Sequence, residues 1–306
     1  MAKPSGFLAS AVVGLLLAVP SPASGQAWTP AKGSGSVTLS FQYLEGADHL
    51  FSVDVTGKSF GGGYVGRGRR ADLGEVAGRS LALRVDYGVT DRLALGARLP
   101  YVWARYVGRI PHPGVEADDG SFHSGLQDLS VELRYKALDR RVVVTPFVAY
   151  GTPASDYGTL GHASLGRGLD EARLGVYFGA PSSLFTWVHA SYSYAFVEEV
   201  LGVSTDRSDA TLAVGYQRSQ RLGMRLFGSH LDTRGGIDWL TDFDTGSHAG
   251  QFVHHDQLSR TEATLVGLGL TYSRGLYDVD LSVSRAVDGE NTHELTGSTL
   301  SLSWSF

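Results

Sequence analysis

Apolar and polar residues alternate along most of this chain with a period of two. In its last stretch Leu300, Leu302, Trp304 and Phe306 interleave with Ser301, Ser303 and Ser305, the pattern of a strand with one apolar and one polar face. Residues 37–43 repeat it, with Val37, Leu39, Phe41 and Tyr43 set against Thr38, Ser40 and Gln42. So do residues 80–87 and 93–103. Eight more such segments follow, near residues 129–135, 142–150, 171–178, 184–196, 209–216, 222–226, 266–272 and 279–284. The expectation is twelve strands. The connections alternate between long and short, with the long ones after the odd strands. An even count with this alternation is the arrangement of an outer-membrane barrel, with short periplasmic turns and long external loops. A soluble sandwich gives no reason for it.

The apolar faces of the descending strands end on Tyr87, Tyr135, Phe178, Tyr216, Tyr272 and Phe306. The opposite ends carry Tyr43, Tyr101, Trp103, Tyr150, Tyr192, Tyr194 and Phe196. Two aromatic belts around an aliphatic zone mark two lipid–water interfaces. The expected fold is therefore all-β, a transmembrane antiparallel up-and-down β-barrel of twelve strands. It would form a single domain over residues 26–306, with the last strand closing onto the first.

The start of the chain adds the compartment. Lys3, the apolar run 7–19, then Pro20, Pro22 and small residues read as a secretory signal peptide over residues 1–25, cleaved after Gly25 or Ala27. The run is too short to span a bilayer. Loss of Lys3 would move the formal net charge from −5 to about −6. There is no cysteine, so the exported fold uses no disulfide. An exported chain without membrane helices is either soluble or a barrel, and the periodicity selects a barrel in the bacterial outer membrane, in contact with the bilayer and lipopolysaccharide. Arg67, Arg69 and Arg70 suit contact with lipopolysaccharide phosphates. Residues 26–36 are too few for a plug domain, which leaves loops 44–78 and 230–259 as candidate constrictions.

Two resemblances add to this. The terminal Phe306 after an alternating strand resembles the signal read by the barrel assembly machinery of outer membranes, which that resemblance implies as a partner. The segments Gly125-Leu126-Gln127-Asp128-Leu129-Ser130-Val131-Glu132-Leu133-Arg134-Tyr135 and Tyr87-Gly88-Val89-Thr90-Asp91-Arg92-Leu93 resemble the outer-membrane family named for the meta-pathway of phenol degradation. The likeness covers strands two to four, through Leu99-Pro100. It implies transport of small, often aromatic, compounds and names no binding residue. Where that family tends to carry a Pro-Thr-Gly turn after strand five, this chain has Tyr150-Gly151-Thr152-Pro153-Ala154.

The polar faces carry the candidate chemistry: Arg84, Asp86, Arg98, Glu132, Arg134, Glu171, Arg173, Asp209, Arg225 and Asp280. They would line a lumen and set its selectivity, or pair across strands and fill it. Nucleophilic catalysis needs Ser, His and an orienting carboxylate at one place. His189, the one histidine well inside a strand, has no such companions on the neighbouring strands, so no enzyme is expected. No sequence signal calls for a cofactor. His254-His255-Asp256 with His230 and His248 lacks metal-ligand spacing and reads as a solvated loop. Asp242-x-Asp244-x-Gly246 would need a carboxylate where Val253 stands to be a calcium loop, and Asp118-Asp119-Gly120 is as weak. No metal or nucleic acid is expected. The expected function is a passive channel for small, possibly aromatic or hydrophobic, solutes. The alternative is a structural or surface-interaction barrel with a sealed lumen.

Overall fold

The computed structural model describes residues 26–60, 64–108, 116–181, 186–238, 240 and 254–306. The leader expected over 1–25 lies outside the described residues. Twelve long strands run up and down: β1 (Gly35–Leu50), β2 (Arg70–Gly88), β3 (Leu93–Gly108), β4 (Asp128–Tyr135), β5 (Val143–Pro153), β6 (Glu171–Pro181), β7 (Thr186–Val197), β8 (Arg207–Gln217), β9 (Leu222–Thr233), β10 (Glu262–Arg274), β11 (Tyr277–Glu290) and β12 (Thr296–Ser305). Each pairs antiparallel with the next. β12 closes onto β1, from Ser36 opposite Ser305 to Glu45 opposite Thr296. Closure satisfies every strand edge, which a sheet in lipid requires. The fold is a closed antiparallel β-barrel.

Alternation decides the two faces. Leu39, Phe41, Leu83, Leu212, Leu268 and Leu300 lie exposed on the outside. Thr38, Gln42, Ser282, Ser301 and Ser303 are buried in the lumen, where Thr38 and Ser303 hydrogen-bond across the closing seam at 2.8 Å. Tyr87, Tyr135, Phe178, Tyr216, Tyr272 and Phe306 are all exposed on the outer face, at the end that carries the short turns. There Phe306 exchanges backbone hydrogen bonds with Gly35 at 2.9 Å each way.

The strands run further than the alternation does. β1 and β2 stay paired to Leu50 opposite Arg70, through a bulge between Gly46 and Asp48. Much of the loop expected over 44–78 is therefore strand. Beyond the outer belt no lipid demands an apolar side, so the backbone ladder continues while the side-chain period fades. Beyond that paired end, Phe51 and Val55 pack with Ala71 and Leu73 of β2.

Candidate functional site

The lumen carries its charges in pairs two residues apart, which places them side by side on one face of a strand. On β2, Arg84 Nε and Nη2 donate to the Asp86 carboxylate at 2.7 and 2.9 Å. On β4, Arg134 Nε lies 3.2 Å from Glu132, and its other end donates to Asp86. The intervening strand permits that reach because Gly96 stands opposite both Asp86 and Glu132. A Cβ there would sit 3.0 Å from Asp86 Oδ1. Tyr177 donates to Glu132 at 2.7 Å. A second group joins Arg173 and Arg207 to Glu171, the latter at 2.8 Å, with Asp209 3.7 Å from Arg207. The third is buried: Arg225 clasps Asp280, which also accepts from Thr271 at 2.9 Å.

Nine of the ten charged residues expected inside thus stand in ion pairs with lumen partners, and Arg98 has none among the described residues. Arg207, Arg167 and Tyr177 belong to the site as well. Arg207 was legible, since it precedes Asp209 by two positions, but the alternation of apolar residues starts only after it.

Both ends of the lumen are covered. At the turn end, residues 26–31 enter the barrel, although so short a segment was not expected to plug it. Gly33, at φ +79°, turns the chain back from β1, and Gly33 N–H donates to Gly88 O at 2.8 Å. Ala27 O accepts from Thr145 Oγ1 at 2.7 Å. Ala27 and Trp28 pack on Val143, Phe147 and Tyr177. His189 lies near the rings of Trp28 and Tyr177, 6.4 and 5.9 Å between centroids.

At the loop end the cover is residues 154–170, which were not among the candidate constrictions. Asp118, on a short 3-10 turn, pins this loop: its carboxylate accepts from His162 N–H at 2.8 Å, Ala163 N–H at 3.2 Å and His162 Nδ1 at 3.0 Å. Leu165 then packs on Leu44, Val76, Val102, Leu265 and Leu295. The helical turn His255–Leu258 docks beside it, with Gln257 Nε2 on Arg167 O at 2.7 Å and Ser164 Oγ on Asp256 at 3.1 Å. His255 and Asp256 are buried, against the expectation of a solvated loop, because they close the barrel mouth. His248 and the Asp242–Asp244 pair lie outside the described residues. Four buried histidines meet here: His49 faces His293 across the sheet, and His162 lies 5.1 Å from His255 between ring centroids. Arg69 and Arg70, the residues expected at lipopolysaccharide, pair with Asp288, Glu290 and Glu294 of the barrel's own rim.

Between the two covers lies a cavity of about 220 Å³, lined by Gln42, Arg84, Arg98, Ser130, Glu132, Arg173 and further hydroxyls. The site can hold a small polar molecule in a ring of fixed charges and hydroxyl groups.

No family model matches the chain, and no curated protein does. Among solved structures, an outer membrane channel from Pseudomonas putida F1 superimposes with a TM-score of 0.67 at 14% identity, over 94% of this chain and 100% of that one. The translocator domain of the autotransporter NalP from Neisseria meningitidis (TM-score 0.49, 12% identity, 89% of this chain and 88% of that one) and the P. putida toluene transporter TodX (0.47, 11%, 92% and 91%) match less well. The first likeness is one of fold, that of outer-membrane barrels.

Proposed function

We propose that this protein is an outer-membrane channel for small solutes, closed at rest by two segments of its own chain. The observation that carries the reading is the central cavity, ringed by charges and hydroxyls and covered by residues 26–31 and 154–170 rather than by the barrel wall. A pore is gated by such segments because they can leave without breaking the sheet. The polar lining favours polar over hydrophobic solutes, since an apolar molecule gains nothing by displacing water from paired ions. The exposed apolar band and aromatic belts fit the bilayer, and the exported leader and barrel assembly at Phe306 belong to the same reading.

The test is conductance. The full chain in planar bilayers should pass small, intermittent currents, and Trp28→Ala, which loosens the lower cover, should raise the open fraction severalfold. No current from either protein, with no solute uptake by liposomes, refutes the channel. The dense ion pairing favours the second reading, a structural barrel with a sealed lumen, and that negative result would establish it.

A further inference from the structure

One guanidinium on the cavity wall, that of Arg98, stands beside other cations and no carboxylate among the described residues. Around the cavity and its lower floor stand, among the described residues, Arg84, Arg98, Arg134, Arg167, Arg173 and Arg207 with Asp86, Asp128, Glu132, Glu171 and Asp209, and Asp256 of the upper cover also acts on Arg167. Asp86 and Glu132 are taken by Arg84 and Arg134, and Glu171 and Asp209 by Arg173 and Arg207. Asp128 accepts from Tyr157. Arg167 is held by Thr205 and by Gln257 O at 3.0 Å. Arg98 makes no ion pair among the described residues. Directly opposite it in the sheet stands another arginine, Arg84, on one side and Ser130 on the other, and the charges that bear on it are Arg84 and Arg173. Like charges placed opposite each other weaken a sheet, and a guanidinium held away from bulk water without a partner is costly. Arg98 nonetheless lines the cavity.

We propose that this cavity is a binding site for a small organic monocarboxylate, whose carboxylate pairs with the Arg98 guanidinium. One guanidinium flanked by other cations and no carboxylate suits a single negative charge. A phosphate dianion would bring a surplus charge close to Glu132 and Glu171. The planar guanidinium suits a carboxylate through two parallel hydrogen bonds, and the hydroxyls of Ser130, Ser80 and Ser40 share the same wall. The inference rests on the lumen being the solute path, and it names the class of solute that pauses there.

Isothermal titration calorimetry of the folded full-length protein in detergent micelles tests it, with benzoate as the probe, benzyl alcohol as its neutral counterpart and chloride as an inorganic anion. Benzoate should bind at least tenfold more tightly than benzyl alcohol or chloride. Arg98→Gln should lose that preference and Arg98→Lys should keep most of it. Equal binding of benzoate and benzyl alcohol, binding of chloride as tight as benzoate, or unchanged benzoate affinity in Arg98→Gln overturns the site, as does no binding at all. Should Arg98→Gln not fold, the wild-type comparison of the three probes decides alone. Because calorimetry needs no current, benzoate binding with a silent bilayer refutes the channel and leaves the site. Current without benzoate binding refutes the site alone.

Discussion

Acidification should release the cover at the loop end before it affects the barrel. His293 is fully buried beside His49, and burial together with His162 pushes it from an ordinary 6.5 down to about 3. His49 moves the same way, from burial first and then from His293, His162 and His255. The acidic groups nearby are Asp118, bound to His162, and Asp256, 3.6 Å from His255. Glu294 is taken by Arg70 and Arg285. Both shifted histidines are neutral when the cover is docked and titrate ordinarily once it is released. The released form therefore binds more protons below pH 6.5, and docking stability is full above that value and falls as pH drops towards 3. At about 1.4 kcal/mol per unit, His293 alone removes about 2 kcal/mol by pH 5 and at most about 5 kcal/mol below pH 3. Two kcal/mol is about thirtyfold in the docked–released equilibrium. Hydrogen exchange in micelles, corrected for the intrinsic pH dependence of exchange, should show residues 154–170 and 291–295 opening at least about thirtyfold more at pH 5 than at 7.5. The strands should not change. His293→Gln should reduce that slope by about thirtyfold between the two pH values, leaving the share carried by His49. Equal opening at the two pH values, or an undiminished slope in His293→Gln, would falsify the assignment.

Three further outcomes follow from single contacts. Asp280→Ala strands a buried guanidinium that has lost its carboxylate, and should cost about 3–5 kcal/mol in urea unfolding; a loss below 1 kcal/mol contradicts the buried pair. Asp118→Ala removes the acceptor of two backbone N–H groups of the loop 154–170, so limited proteolysis there should speed up at least tenfold with the barrel intact, and an unchanged rate counts against Asp118 as the pin. Phe306→Ala should lower outer-membrane yield more than it lowers the heat required for unfolding, and unchanged yield with unchanged heat-modifiable migration on gels counts against it.

The barrel was legible because lipid imposes a rule on every second residue. Leu81, Leu83, Val85 and Tyr87 face the same solvent along their whole run, so their spacing is readable without any partner. Above the belt that rule ends. Glu45, Gly46 and Asp48 belong to β1 as firmly as Leu39 does, but backbone pairing with the neighbouring strands is what holds them, and backbone pairing leaves no mark on side-chain type. The same limit applies to Arg207, which lies on the ladder opposite Ala195 and Thr233, at the loop end of its strand, before the first apolar alternation.

The covers were illegible for a different reason. Residues 26–31 and 154–170 have no periodicity of their own; they are ordered by what the barrel offers them, Thr145 for the carbonyl of Ala27 and Asp118 for the backbone of His162 and Ala163. Asp118 by itself looked like half of a poor calcium motif, and nothing local says that its ligand is a peptide. The charges show both situations side by side. Arg84 and Asp86, or Glu171 and Arg173, announce their pairing by standing two apart with opposite signs. Arg98 has no such neighbour: the same-face positions two residues away are Gly96 and Pro100. Arg225 and Asp280 lack such a neighbour too, but they pair with each other across the lumen, which leaves Arg98 as the one of the ten without an ion pair among the described residues. It is the absence of a carboxylate at those two places, confirmed by Arg84 standing opposite, that makes Arg98 the charge most available to a solute.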